Sequence, residues 1–150
     1  MYGKLSLLII AACALSACEN KGGALVAPPL ANTGTPMPAQ APVSYQVFFP
    51  LGSTRLSDQD SQTLAAAAGV YRSKGNATVT VTGYADTVGS PQINMQLSQA
   101  RADAVKNGLV QAGIPAGSIT TSASGDTGLL VQTGAQANEP RNRRVIIVIQ

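Results

Sequence analysis

The sequence contains no histidine, and only 4% of its 150 residues are aromatic. Without imidazole there is no histidine-activated nucleophile and no histidine-ligated metal, which removes most hydrolase mechanisms. Charge is sparse as well, at 11% of residues, with 10 Lys+Arg against 7 Asp+Glu. The basic residues are scattered except for Arg141, Arg143 and Arg144, so the chain shows no nucleic-acid footprint. Cysteine occurs twice, as Cys13 inside a leading apolar run and Cys18 at its end. Removal of that leader leaves one cysteine, and one cysteine forms no internal disulfide. The length suits one domain with extensions, and nothing in the composition implies a cofactor or a metal.

The chain opens on a basic Lys4 followed by an apolar stretch from Leu5 to Ala14. About ten to thirteen apolar residues are too few to span a bilayer and fit a signal peptide. Leu15-Ser16-Ala17-Cys18 looks like a lipobox, the signal after which bacterial lipoprotein processing cleaves and acylates the cysteine. On that reading residues 1–17 are a lipoprotein signal peptide and Cys18 carries lipid; the alternative is an ordinary secretory signal with an incidental cysteine. Residue 19 is Glu rather than Asp, which the best-known sorting rule associates with export to the outer membrane. Residues 18–43 then form a tether rich in proline and alanine, with Pro28, Pro29, Pro36, Pro38 and Pro42 denying it a helix. In polyproline II geometry, at ~3.1 Å per residue, such a tether reaches roughly 80 Å, and as a flexible coil it averages nearer ~30 Å.

The folded domain is expected over 44–150, long enough to bury a core alone. Tyr45, Val47 and Phe49 alternate with Gln46 and Phe48 as a first strand. Ser57-Asp58-Gln59-Asp60 reads as a capping box, and Leu64, Ala68 and Tyr71 mark the face of a helix that ends near Gly75. Val79 and Val81 alternate with threonines in a second strand, and Ser90-Pro91 opens a second helix that closes at Ala112-Gly113. Ile119, Thr121 and Ala123 make a third strand. Residues 125–142 lack periodicity and read as a long loop with room for a short helix. Val145 to Ile149 is a continuous β-branched run, the pattern of a central strand covered on both faces.

The stretch Thr78 to Arg101 organises the rest. On the second helix, at about 3.6 residues per turn, Leu97, Ala104, Val105 and Gly108 share a face with Asn94 and Arg101. A guanidinium pointing with an apolar stripe needs an anionic partner or a ligand. Asp86, in the loop bracketed by Gly83 and Gly89, is the nearest carboxylate in sequence. Spacing alone admits two readings of the pair: a structural salt bridge, or a site for a zwitterion.

Gly83-Tyr84-Ala85-Asp86-Thr87, Gly89-Ser90, Asn94, Leu97-Ser98, Arg101-Ala102, Val105 and Leu109, with Asn142-Arg143-Arg144-Val145 near the end, resemble the OmpA-like peptidoglycan-binding domain. With its lipobox, the chain resembles the peptidoglycan-associated lipoprotein group. The resemblance implies an α/β (α+β) sandwich in the order β-α-β-α-β-loop-β, one mixed four-stranded sheet under two main helices. It also implies that Asp86 and Arg101 grip diaminopimelate of the cell-wall stem peptide, with Thr87, Asn94, Leu97 and Arg144 as further peptidoglycan-binding positions. The family's common His and Thr before the aspartate stand here as Tyr84 and Ala85, and its acidic residues after the first strand as Pro50 and Leu51. The acid that commonly follows the Asn-Arg-Arg-Val motif is Ile146 here.

The expected function is therefore non-covalent peptidoglycan binding by an outer-membrane lipoprotein whose domain faces the periplasm. The alternative is a structural subunit of a larger envelope assembly, with protein partners, that uses the domain as its wall anchor. Catalysis is not expected, because Cys18 is committed to lipid and Asp58 and Asp60 suit a helix's first turn. The anchor has a direct test. Cys18→Ser protein is expected to leave the membrane fraction and to carry no acyl mass, whereas wild type carries it; identical fractionation and an unacylated wild type would rule the anchor out.

Overall fold

The computed structural model describes residues 41–150. The leader, Cys18 and the tether as far as residue 40 lie outside the described residues. Six main elements follow in order: β1 (Val43–Phe48), α1 (Asp58–Lys74), β2 (Val79–Gly83), α2 (Pro91–Gln111), β3 (Ile119–Ala123) and β4 (Arg144–Ile149). The strands form one sheet in the order β1-β4-β2-β3. β4 is antiparallel to both β1 and β2, while β2 and β3 run parallel across α2. This is the expected mixed four-stranded sheet with two helices, β4 taking an inner place.

The local chemistry explains where the elements start and stop. Ser57 caps α1 through a reciprocal box with Asp60: the Asp60 N–H donates to Ser57 Oγ, and the Ser57 N–H donates to Asp60 Oδ2 at 2.8 Å. Gly75, at φ 76°, ends α1 in a conformation that disfavours any side chain. Ser90 Oγ accepts from the Ile93 N–H, and Pro91 fills the first helical position of α2.

Both helices cover one face of the sheet. Val47, Val79, Val81, Val145, Ile147 and Ile149 point into a core shared with Leu64, Ala67, Ala68, Ala102, Val105 and Leu109. The opposite face of β4 differs from the expectation of cover on both sides. Ile146 and Val148 are only half-buried, flanked by Gln46 and Thr82 and by Ser44 and Thr80. A two-layer fold has no element to spare for that face, so polar neighbours border the β-branched run, and Thr82 Oγ1 and Ser122 Oγ share a hydrogen bond beside it.

The phase of α2 also differs from the expectation. Its buried face is Asn94, Ser98, Arg101, Ala102, Val105 and Leu109, while Leu97 and Ala104 sit half-buried at its margin. Small residues lead this face because α2 lies almost on the backbone of β2. A Cβ on Gly83 would stand 2.0 Å from the Ser98 carbonyl oxygen and 3.4 Å from Ala102 Cβ. A Cβ on Gly108 would likewise meet Leu64 Cδ1 at 2.4 Å, so α2 also packs tightly on α1.

Gly83→Ala should therefore force a backbone shift and cost about 2–3 kcal/mol, lowering the melting temperature by on the order of 10 °C. Gly69 in α1 has nothing within 4 Å of its would-be Cβ, so Gly69→Ala should stabilise by about 0.5–1 kcal/mol. Thermal melts of the two variants, moving in opposite directions from wild type, check this packing.

Candidate functional site

The close seat of α2 carries Arg101 into the protein beneath the loop that follows β2. Arg101 is 0% exposed. Its Nε donates to the Ser53 carbonyl at 2.9 Å, Nη1 to the Tyr84 carbonyl at 3.2 Å and Nη2 to the Pro50 carbonyl at 3.1 Å. The guanidinium carbon lies 5.4 Å from the centroid of the Phe49 ring. Burial draws the Arg101 pKa down to about 10, with the Asp86 charge opposing the shift and the Arg143 charge adding to it. The group thus stays charged at neutral pH, held by neutral carbonyl dipoles rather than by a carboxylate.

Asp86 is 3% exposed and pairs with a different arginine. Arg143 Nη1 donates to Asp86 Oδ2 at 2.9 Å in a pair buried on both sides. Arg143 is fixed by its Nε, which donates to the Phe49 carbonyl at 3.0 Å, and by a contact from Nη1 to Asn138 Oδ1. An Asp86–Arg101 salt bridge is therefore not what locks loop to helix: the two share an electrostatic neighbourhood, and Arg143 stands as the direct cation of Asp86. The cluster holds two buried guanidinium groups and one buried carboxylate, so it lacks an anion.

The remaining sequence-predicted residues divide. Asn94 is buried one turn before Ser98, and its Nδ2 donates to Asp126 Oδ2 at 3.1 Å. Thr87 sits beside Asp86 and binds the segment 134–137, with Oγ1 donating to the Gly134 carbonyl at 2.7 Å and accepting from the Ala137 N–H at 3.0 Å. Leu97 lies at the half-buried margin of α2. Arg144 points to the other face of the sheet, its guanidinium 4.1 Å from the Tyr84 ring centroid and its Nη2 donating to the Gly128 carbonyl. Desolvation lowers the Arg144 pKa, and its Nε and Nη1 have no hydrogen-bond partner.

Arg143 is the residue that sequence reasoning passed over. Strand alternation contained the signal: Val145, Ile147 and Ile149 face the helices, and Arg143 has their parity while Arg144 has that of the outward Ile146. Asn142, the first residue of the same motif, is structural. Its carboxamide accepts from the Val131 N–H and donates to the Val131 carbonyl, both at 2.9 Å, and so ties the long loop to the start of β4.

This arrangement has relatives. The probable lipoprotein YiaD of Escherichia coli (strain K12) is 33% identical over 103 residues, which are 69% of this chain and 47% of that protein. Outer membrane protein P5 of Haemophilus influenzae is 35% identical over 101 residues, 67% of this chain and 28% of that protein. The chain thus spans less than half the length of either relative. Among solved structures, the peptidoglycan-associated lipoprotein from Burkholderia pseudomallei superposes with a TM-score of 0.65 at 26% identity, covering 70% of this chain and 89% of that one. The OmpA family profile matches residues 48–143, the span that holds β2, α2 and every residue of the Asp86 cluster, and the chain belongs to that family.

Proposed function

We propose that residues 44–150 bind peptidoglycan non-covalently, without catalysis, by gripping the free zwitterionic end of diaminopimelate in the stem peptide. The observation that carries this reading is the charge count of the buried cluster: Arg101 and Arg143 share a single carboxylate, Asp86. A ligand with a carboxylate and an ammonium on one carbon supplies the missing anion and brings its own cation for Asp86. Arg101 and Arg143 then serve the carboxylate with charge-assisted N–H donors, and Asp86 accepts from the ammonium. On this reading Thr87, Asn94 and Leu97 are further ligand-binding positions, and Arg144 braces Tyr84 from the far face. The likeness to a peptidoglycan-associated lipoprotein, that of Burkholderia pseudomallei, supports the ligand class. With lipid on Cys18 and the tether of residues 18–43, the domain faces the periplasm and ties the outer membrane to the wall.

Two conservative variants test the site while keeping its shape. Asp86→Asn retains the side-chain volume and removes the charge for the ammonium; Arg101→Lys keeps a charge and loses the planar fork. Losing a charge-assisted hydrogen bond costs about 1.5–3 kcal/mol, so each variant should bind purified sacculi roughly ten- to a hundredfold more weakly. Thermal melts on the same samples confirm that the proteins are folded. Folded variants that cosediment with sacculi like wild type would reduce the cluster to a structural role.

A further inference from the structure

The proposed ligand cannot reach Asp86 as the protein stands, because the carboxylate is 3% exposed and already paired. Something must move. The sheet and α2 are held by the hydrophobic core, but the segment 134–138 is held across the site by polar contacts alone. Gly134, Ala135, Gln136 and Asn138 are exposed, and none of the five belongs to the core. The Gln136 N–H donates to the Thr87 carbonyl at 3.0 Å. Its side chain makes a two-bond pair with Gly89: Oε1 accepts from the Gly89 N–H and Nε2 donates to the Gly89 carbonyl, each at 3.0 Å. Gln136 also has φ 55°, and it is the one non-glycine residue with positive φ among the described residues. Such a conformation is strained for an L residue and persists only while its contacts hold it. At the far end of the segment, Asn138 touches Arg143, the cation that occupies Asp86.

We infer that residues 134–138 are a lid latched by Gln136, whose carboxamide stands in for the backbone N–H and C=O of one ligand residue on Gly89. The inference rests on the proposed peptidoglycan reading. A peptide bond is trans and points its C=O and N–H apart, but the N–H and C=O that flank one Cα of an extended peptide pair with a single residue across a ladder, so one residue of the stem peptide satisfies the same two Gly89 groups once the latch swings away. Opening releases the strained backbone of Gln136, removes Asn138 from Arg143 and leaves Arg143 free to turn from Asp86 to an incoming carboxylate. The lid gives the site a preference for diaminopimelate within a peptide over free diaminopimelate, because only the peptide replaces the bonds that the latch gives up.

The test uses the full-length protein in detergent micelles, with a short stem peptide ending in diaminopimelate and with free diaminopimelate. Gln136→Ala removes the latch carboxamide and keeps the φ strain that favours opening, so the variant should bind both probes about three- to tenfold more tightly, as expected when a competing closed state is depopulated. In wild type, saturating stem peptide should speed hydrogen exchange at the Gln136 and Ala137 amides while slowing it at Gly89, with the Val81 amide unchanged. Saturable wild-type binding together with equal or weaker binding by Gln136→Ala overturns the lid, and so do Gln136 and Ala137 amides that are protected together with Gly89. Absence of binding to either probe by both proteins overturns the peptidoglycan reading itself.

Discussion

The structure turns on the burial of one guanidinium. Arg101 sits in the core-facing row of α2, one turn from Ser98 and beside Ala102, and it is fully shielded from water. An uncompensated charge there would be prohibitive, so the surrounding backbone is arranged as its solvent. The turn after β1 contributes the Pro50 and Ser53 carbonyls and the residue after β2 contributes that of Tyr84. These groups converge only because Gly83 lets α2 settle onto the end of β2. Packing and electrostatics are thus one constraint here: the missing side chain at Gly83 places the charge that the carbonyls then hold.

What this solution leaves undone gives the site its chemistry. Carbonyl dipoles accept three of the five N–H donors of Arg101 without neutralising it. Acidic residues, which the family commonly carries after the first strand, are replaced by Pro50 and Leu51, so no carboxylate from that turn balances the charge. Asp86 is left to serve two arginines and bonds directly to one. Asp86 is paired by Arg143, whereas Arg101 has no directly bonded carboxylate; on the proposed reading a zwitterion supplies one by exchanging places with Arg143.

Much of the fold is legible in the sequence because local signals agree with it. Ser57 and Asp60 announce α1, Ser90-Pro91 announces α2, and the β-branched run at 145–149 announces an inner strand. The failures are equally physical. The phase of α2 reads one residue off because hydrophobicity centres the face on Leu97, while close approach to Gly83 favours the small Ser98 and Ala102. Arg101 and Asp86 stand out from nearby sequence, but the partner of Asp86 comes from 57 residues away and is set by sheet register, which no local pattern encodes. The segment around Gln136 has no periodicity because none of its residues belongs to the core; its hydrogen bonds use backbone and carboxamide groups that any polar loop could offer.

Binding of a zwitterion as proposed requires this cluster to recognise an ammonium and a carboxylate together. Competition against sacculus binding by the full-length protein tests it most directly, with three soluble molecules of similar length. Diaminopimelate carries both groups, pimelate only the carboxylates and cadaverine only the ammoniums. Diaminopimelate should release the protein from sacculi while pimelate and cadaverine at the same concentration do not. Release by pimelate or cadaverine as effectively as by diaminopimelate, or no release by any of the three, would contradict it.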